Sequence, residues 1–215
     1  MKALFWNGSP RKNWNTHKLL ESAINGAAEA GAETELVHLY DLNFKGCKSC
    51  FASKLKNNKT NGVCAIHDDL KPVLEKARDA EIIVVGSPIY FSYPTAITRA
   101  FMERLLFPYL SYSGKESGFK KATAMIYSMG CPENLAPQWH YPEILGENER
   151  FLKQLFGYSE TLCSYYTYQF DNYTRYDAEL FDVQSKEEQL EKQFPIDLEN
   201  ACKLGKRLVE VASKL

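Results

Sequence analysis

Two stretches of this sequence have the residue types to hold a phosphate and a flat ring, and a third carries thiols. In the first, the apolar run Ala3-Leu4-Phe5-Trp6 stops at Asn7-Gly8-Ser9-Pro10, and a short basic loop leads into a helical pattern near Asn15. A strand that passes through a Gly/Ser turn into a helix points free backbone N–H groups and the positive end of the helix dipole at an anion. Ser9, Arg11, Asn13, Asn15 and Thr16 add hydroxyl, amide and guanidinium donors, so the segment is expected to bind a phosphate. Ser9 and Asn15 also suit ordinary turn and N-cap duty, which is compatible with facing an anion.

The second stretch, Ser87-Pro-Ile-Tyr-Phe-Ser-Tyr-Pro94, sets Tyr90, Phe91 and Tyr93 in a proline-stiffened loop. Aromatic faces beside a phosphate site suit a planar ring attached to that phosphate; packing of the loop onto the core is the plainer alternative. Ser128, Met129 and Gly130 are placed to meet the same ring from its other edge. The third stretch, Cys47-x2-Cys50-x13-Cys64-x2-His67, has the spacing of a zinc site. Spaced cysteines are also often simply buried or redox-active. Cys131, Cys163 and Cys202 read as ordinary thiols, and His17, His38 and His140 have no placed partner. Asp68-Asp69 reads as an N-cap pair, and the charge run from Lys186 to Lys192 as a solvated face.

The elements that must position these groups alternate in type. Strands are expected at 2–6, 34–39, 81–86, 122–128 and 160–168, with helices at 15–30, 69–77, 95–106, 147–156 and 198–215. Leu19, Leu20, Ala23, Ile24 and Ala27 recur at helical spacing, and Gly31 stands where a helix stop belongs. Ile82-Ile83-Val84-Val85 is a continuous apolar run, as in a parallel strand buried on both faces. Such alternation implies a parallel sheet with right-handed crossovers and helices on both sides. Ligands then bind beyond the carboxyl ends of the strands, where the strand order reverses, and the loops after the first, third and fourth strands share that crevice. The long connection 43–67 falls outside a minimal fold of this kind, as does 131–141 after the fourth strand, and a Tyr-rich stretch from Tyr165 to Tyr176 is expected to extend the fifth strand.

The bulk numbers narrow the function classes. A net charge of −1 over 215 residues lacks the basic excess of a nucleic-acid footprint. No apolar run reaches the length of a membrane span, and Met1-Lys2-Ala3 leads into a strand without the apolar stretch of a signal peptide. A cytoplasmic protein is expected, its six cysteines serving as thiols or ligands rather than a disulfide framework.

With these motifs in place, the chain resembles the flavodoxin-like NAD(P)H-dependent FMN reductases, especially the iron–sulfur flavoprotein branch. The residues that carry the resemblance are Asn7-Gly-Ser-Pro-Arg11 with Asn15-Thr16, Gly46-Cys-Lys-Ser-Cys50 with Cys64 and Asp68-Asp69, then Gly86-Ser-Pro-Ile-Tyr-Phe91 and Arg99-Ala-Phe-Met-Glu-Arg104. They span about residues 1–130 in the family's order. The resemblance implies a flavodoxin-like three-layer α/β sandwich with a five-stranded parallel sheet, residues 1–215 forming one FMN-binding domain with 43–67 as an insertion. It implies non-covalent FMN, with the phosphate on Ser9, Arg11, Asn15 and Thr16. The ring would rest on Pro88, Ile89, Tyr90 and Phe91 and be closed by Ser128, Met129, Gly130 and Cys131.

The implied activity is hydride transfer from NAD(P)H through FMN to a small acceptor such as a quinone, a nitro or azo compound, or another flavin. No side-chain acid or base is needed for that step, and Tyr90 is the one candidate to assist it. An electron-transfer flavoprotein serving a redox partner and a non-enzymatic module for another phosphorylated ligand are the alternatives. The near-neutral charge favours the reductase over the acidic electron shuttles. In the family's cluster motif the third cysteine place is here Ser53, a poor ligand for iron, and position 67 is not a ligand. The loop is therefore expected to hold no metal. The Tyr-rich segment, together with the family's habit of completing the flavin site from a neighbouring subunit, leads to the expectation of a homodimer or higher homo-oligomer.

Overall fold

In the first strand, β1 (Lys2–Asn7), successive side chains point to opposite faces, and both faces are apolar. Leu4 and Trp6 join one core cluster, Ala3 and Phe5 the other. The same division runs through β3 (Ile82–Tyr90) and β5 (Lys121–Ser128): Ile83, Val85, Met125 and Tyr127 face one way, Ile82, Val84, Ala124 and Ile126 the other. A sheet apolar on both faces must be covered on both, and helices cover it.

The computed structural model describes residues 1–57, 62–114 and 118–215. Part of the 43–67 connection, residues 58–61, therefore lies outside the described residues. Among the described residues, β2 (Glu33–His38), β1, β3, β5 and β6 (Gly157–Ser164) pair in parallel in that order. A two-residue arm, β4 (Tyr93–Pro94), folds back antiparallel on the end of β3. Helices α1 (Asn15–Glu29) and α6 (Phe194–Ala212) cover one face, through Leu19, Leu20, Ala23, Leu204 and Leu208. On the other face lie α2 (Leu70–Asp79), α3 (Ala96–Leu106) and α4 (Tyr141–Phe156), through Leu74, Phe101, Leu105, Leu145 and Leu152. This is a flavodoxin-like three-layer sandwich, with its order reversal between β1 and β3.

The helices α1 and α6 meet backbone to backbone. A Cβ on Gly26 would stand 2.0 Å from the carbonyl oxygen of Cys202, and one on Gly205 would stand 2.0 Å from that of Ala23. Among the described residues no helix is long and apolar enough to cross a membrane.

Differences from the sequence-based expectations are local and have physical causes. β3 runs to Tyr90, beyond the expected end at Gly86, because Ser87 and Pro88 pair with β5 and its last two residues with β4. α4 starts at Tyr141 and α6 at Phe194, several residues early, and each has a proline in its first turn, where proline lacks only an N–H that no helical partner needs. The aromatic stretch after β6 does not extend that strand, which ends at Ser164. Its rings pack on one another: Tyr168 and Phe170 meet the buried Tyr173 edge-on at 5.0 Å, and Phe170 stacks on Tyr176 at 4.3 Å. These aromatics satisfy each other within the chain, which removes them as a reason to expect a partner.

The charge run at 186–192 also needs correction. It forms α5 (Val183–Glu188) and a π-helical turn, and Lys186 is fully buried rather than solvated. Its ammonium donates to the carbonyls of Tyr166 and Thr167, each at 3.2 Å, and sits 3.5 Å from the centre of the Tyr166 ring. Burial lowers its pKa to about 8, the Cys131 sulfur opposing the shift.

Candidate functional site

The loops after β1, β3 and β5 meet at the carboxyl edge of the sheet and enclose a cleft of about 240 Å³. Ser9, Arg11, Asn15 and Thr16 come from the first loop and the start of α1, Pro88, Ile89 and Tyr90 from the end of β3, and Ser128, Met129 and Gly130 from the end of β5. The parallel sheet brings these ten residues together although the sequence spreads them over more than half the chain. Three expected residues do not line the cleft: Phe91, which is 100% exposed, Cys131, which is buried, and Asn13.

Hydrogen bonds fix the polar end of this cleft. Ser9 N donates to Asn7 Oδ1 at 2.9 Å, and Ser9 Oγ accepts from Arg11 N at 3.1 Å, so the turn holds its own shape. Thr16 Oγ1 and Ser128 Oγ share a hydrogen bond of 2.7 Å, joining the first and third loops. Thr95 caps α3 and donates to the carbonyl of Gly8 at 2.8 Å, which ties the β1 loop to the β3 loop. Hydroxyls and backbone amides gathered at a helix start are the groups an anion takes up.

A fourth wall, absent from the sequence-based set, comes from residues 165–170. Thr167, Gln169 and Phe170 line the cleft, and so does Trp14. The segment leaves β6 alongside the β5 loop, through Thr167 N to the Met129 carbonyl at 2.9 Å, and crosses to α1. There Trp14 Nε1 and Asn15 Nδ2 donate to the Tyr168 carbonyl at 3.0 and 2.7 Å, and Arg11 Nη1 donates to the Gln169 carbonyl at 2.6 Å. Arg11 also stacks over the Trp14 ring at 3.8 Å. Lys186 anchors the same segment from behind, beneath Tyr166, whose φ of 51° is left-handed. Sequence reasoning missed this wall because its contacts are made by backbone carbonyls, which leave no mark on residue identity. The one legible signal was the density of aromatics.

The β3–β4 turn places Phe91 and Ser92 at φ 50° and 68°, the twin left-handed residues of a two-residue hairpin. Burial raises the pKa of Tyr90, with Tyr40 adding to the shift and Arg11 opposing it, so its hydroxyl keeps its proton at neutral pH.

The cysteine loop forms a separate place. Cys47, Cys50, Ser53 and Cys64 line one small cavity together with Arg104, while His67 is exposed and lies beside Lys71. Arg104 is buried and pairs with Asp68, its Nη2 donating to Asp68 Oδ1 at 2.9 Å and its Nη1 to the Lys45 carbonyl at 3.2 Å. Asp68 thus does more than start a helix: it fastens the cysteine loop to α3. Among the described residues no three His, Cys, Asp or Glu side chains are gathered closely enough to hold a metal ion.

The main cleft fits a phosphate-tailed ring. Ser9, Arg11, Asn15 and Thr16 bring donors, while Trp14, Pro88, Ile89, Tyr90, Met129 and Phe170 offer flat or apolar walls. A buried acceptor in its wall, Gln169 Oε1, has no hydrogen-bond partner.

Comparison with known proteins gives a family and a fold. The family described as NADPH-dependent FMN reductase matches residues 1–147. An iron–sulfur flavoprotein of Archaeoglobus fulgidus is 40% identical over 104 residues, 48% of this chain and 48% of its own length. One of Methanocaldococcus jannaschii is 38% identical over 104 residues, 48% of this chain and 51% of its own. The matched stretch is thus about half the length of these relatives. Among solved structures, an NAD(P)H:quinone oxidoreductase from Methanothermobacter marburgensis superposes with a TM-score of 0.70 over 97% of this chain and 98% of its own, at 16% identity, a likeness of fold.

Proposed function

The chain belongs to the NADPH-dependent FMN reductase family, and on that premise we propose that it passes hydride from NAD(P)H through bound FMN to a small acceptor of the quinone, nitro, azo or flavin class. The observation that carries this reading is the convergence of Ser9, Arg11 and Thr16 with Pro88–Tyr90 and Ser128–Gly130 in one cleft. FMN, when bound, supplies the hydride-accepting and hydride-donating chemistry. The chain's own residues do the rest. Ser9, Asn15, Thr16 and the start of α1 hold the phosphate, with Arg11 supplying charge. Pro88, Ile89 and Tyr90 support one side of the ring, and Ser128, Met129 and Gly130 the other. Tyr90 keeps its phenolic proton at neutral pH, which supports it as the side chain that would donate a hydrogen bond at the ring.

The remaining parts of the proposal rest on narrower support. We take residues 1–215 as one flavin-binding unit, since β5, β6 and α6 beyond the phosphate loop complete the same sheet and its cover. A cytoplasmic setting is supported by six free thiols. For the cysteine loop we keep the reading without a metal, supported by Ser53 at the third place and by the exposure of His67. For the oligomer, the support is an apolar groove of about 360 Å³ between α3 and α4, lined by Met102, Leu106, Phe107, Phe151 and Leu155.

Anaerobic mixing of the FMN-loaded protein with NADPH, and separately with NADH, tests the activity. Bleaching of the flavin band by either, and its return on adding a quinone, is the expected result. A flavin reduced by dithionite but by neither nicotinamide would replace the reductase with an electron-transfer role. Failure to take up FMN would leave a module for another phosphorylated ligand.

A further inference from the structure

Gln169 lines the cleft, and its backbone is fixed on both sides. Its N–H donates to Tyr173 Oη at 3.1 Å and its carbonyl accepts from Arg11 Nη1 at 2.6 Å. The side-chain amide lies against Gly130: a Cβ there would stand 2.6 Å from Nε2 and 3.2 Å from Cδ. Gly130 has no left-handed φ, and a Cβ there would push this flexible amide out of its present place. Gln169 Oε1 is buried without a hydrogen-bond partner, although the amide belongs to the wall of the cleft. An orphaned buried acceptor is costly, and a ligand donor in the adjoining cleft would relieve that cost once the amide turns toward it.

FMN brings few donors. Its phosphate dianion has none, so Oε1 does not serve the phosphate. The donors are the ribityl hydroxyls and the single ring N–H, at N3, which lies between two carbonyls. A primary amide matches that imide edge, with an acceptor for the N–H and a donor for a neighbouring carbonyl. We propose that Gln169 recognises the imide edge of the flavin ring, Oε1 accepting from N3–H and Nε2 donating to an adjoining carbonyl, and that Gly130 is glycine to admit it. The proposal rests on the FMN reading above and adds to it a ring-recognition residue from the part of the chain beyond the 1–147 family match.

A methyl group on N3 removes the donor and fills its place, so FMN and 3-methyl-FMN separate this contact from all others. Both are titrated by flavin fluorescence into the wild-type protein, Gln169→Ala and Gly130→Ala. The wild type is expected to bind 3-methyl-FMN at least about tenfold more weakly than FMN, the scale of one buried hydrogen bond. Gln169→Ala is expected to bind FMN about tenfold more weakly and the two flavins within about twofold of each other. Gly130→Ala, which displaces the amide without removing it, is expected to behave likewise and guards against a folding defect special to Gln169→Ala. An unchanged methyl penalty in both variants would overturn the proposal and give Oε1 to a ribityl hydroxyl. Wild-type affinity for FMN in Gln169→Ala would also overturn it. Failure of the wild type to bind FMN would instead bring down the cofactor reading itself.

Discussion

Arg11 illustrates how far a residue type can be trusted. Its charge marked it for the phosphate, yet in the structure its guanidinium also carries the Gln169 carbonyl and stacks on Trp14, so it both faces the cleft and holds the fourth wall in place. Arg11→Ala is expected to weaken FMN binding about tenfold to a hundredfold, the scale of a charge-assisted hydrogen bond, with the denaturation midpoint little changed. Full flavin retention in the purified variant would remove Arg11 from the site. Lys186 makes the opposite case, a residue that the sequence offered as solvent-facing and the fold buried. Because burial depresses its pKa to about 8, the unfolded chain binds more protons than the folded one between about pH 8 and the ordinary lysine range. The charged lysine therefore costs the folded state most below pH 8, and the cost is relieved as pH rises. Relative to Lys186→Met, the wild type is expected to gain stability between pH 7 and pH 9.5 in urea denaturation. A difference that does not change with pH would contradict this. The polar residues of the cleft and Tyr90 were legible as types that suit a phosphate and a ring, whereas Trp14 and Phe170 were not. The Tyr168 and Gln169 carbonyls, which hold Trp14, Asn15 and Arg11, were not, since any residue supplies a carbonyl.

At the scale of elements, periodicity carried the most information. The continuous apolar run Ile82-Ile83-Val84-Val85 marked the central strand because both of its faces are buried, and Leu19, Leu20, Ala23 and Ala27 marked the inner face of α1. Boundaries were less legible where a tertiary contact decided them. β3 continues past Gly86 because Ser87 and Pro88 pair with β5 and Ile89 and Tyr90 with β4, and α5 was hidden within a run of charges. The close α1–α6 contact was also invisible in single-residue patterns, since its glycines look like poor helix formers until the partner helix is in place. Gly205→Ala would drive a Cβ to 2.0 Å from the Ala23 carbonyl. It is expected to cost about 1–3 kcal/mol in chemical denaturation as the helices move apart. A neutral substitution would mean that the two helices can separate without loss.

For the molecule as a whole, the order β2-β1-β3-β5-β6 is what turns scattered motifs into one site. The chain leaves β1 toward β2, returns across it to β3, and thereby opens a crevice at the carboxyl edge between the phosphate loop and the aromatic hairpin. Residues 165–170 then close that crevice from the far edge of the sheet, so the last third of the chain takes part in the site built by the first two. The α3–α4 groove lies away from this cleft, and sedimentation at micromolar concentration is expected to show a dimer; a monomer there would refute the proposed assembly. The central claim is that the cleft takes FMN, and its most direct measurement is a titration of flavin-free protein with FMN, followed by the visible spectrum. Saturation at one flavin per chain with a shifted, structured flavin band is the predicted result. A spectrum that remains that of free FMN at every protein concentration would contradict the account.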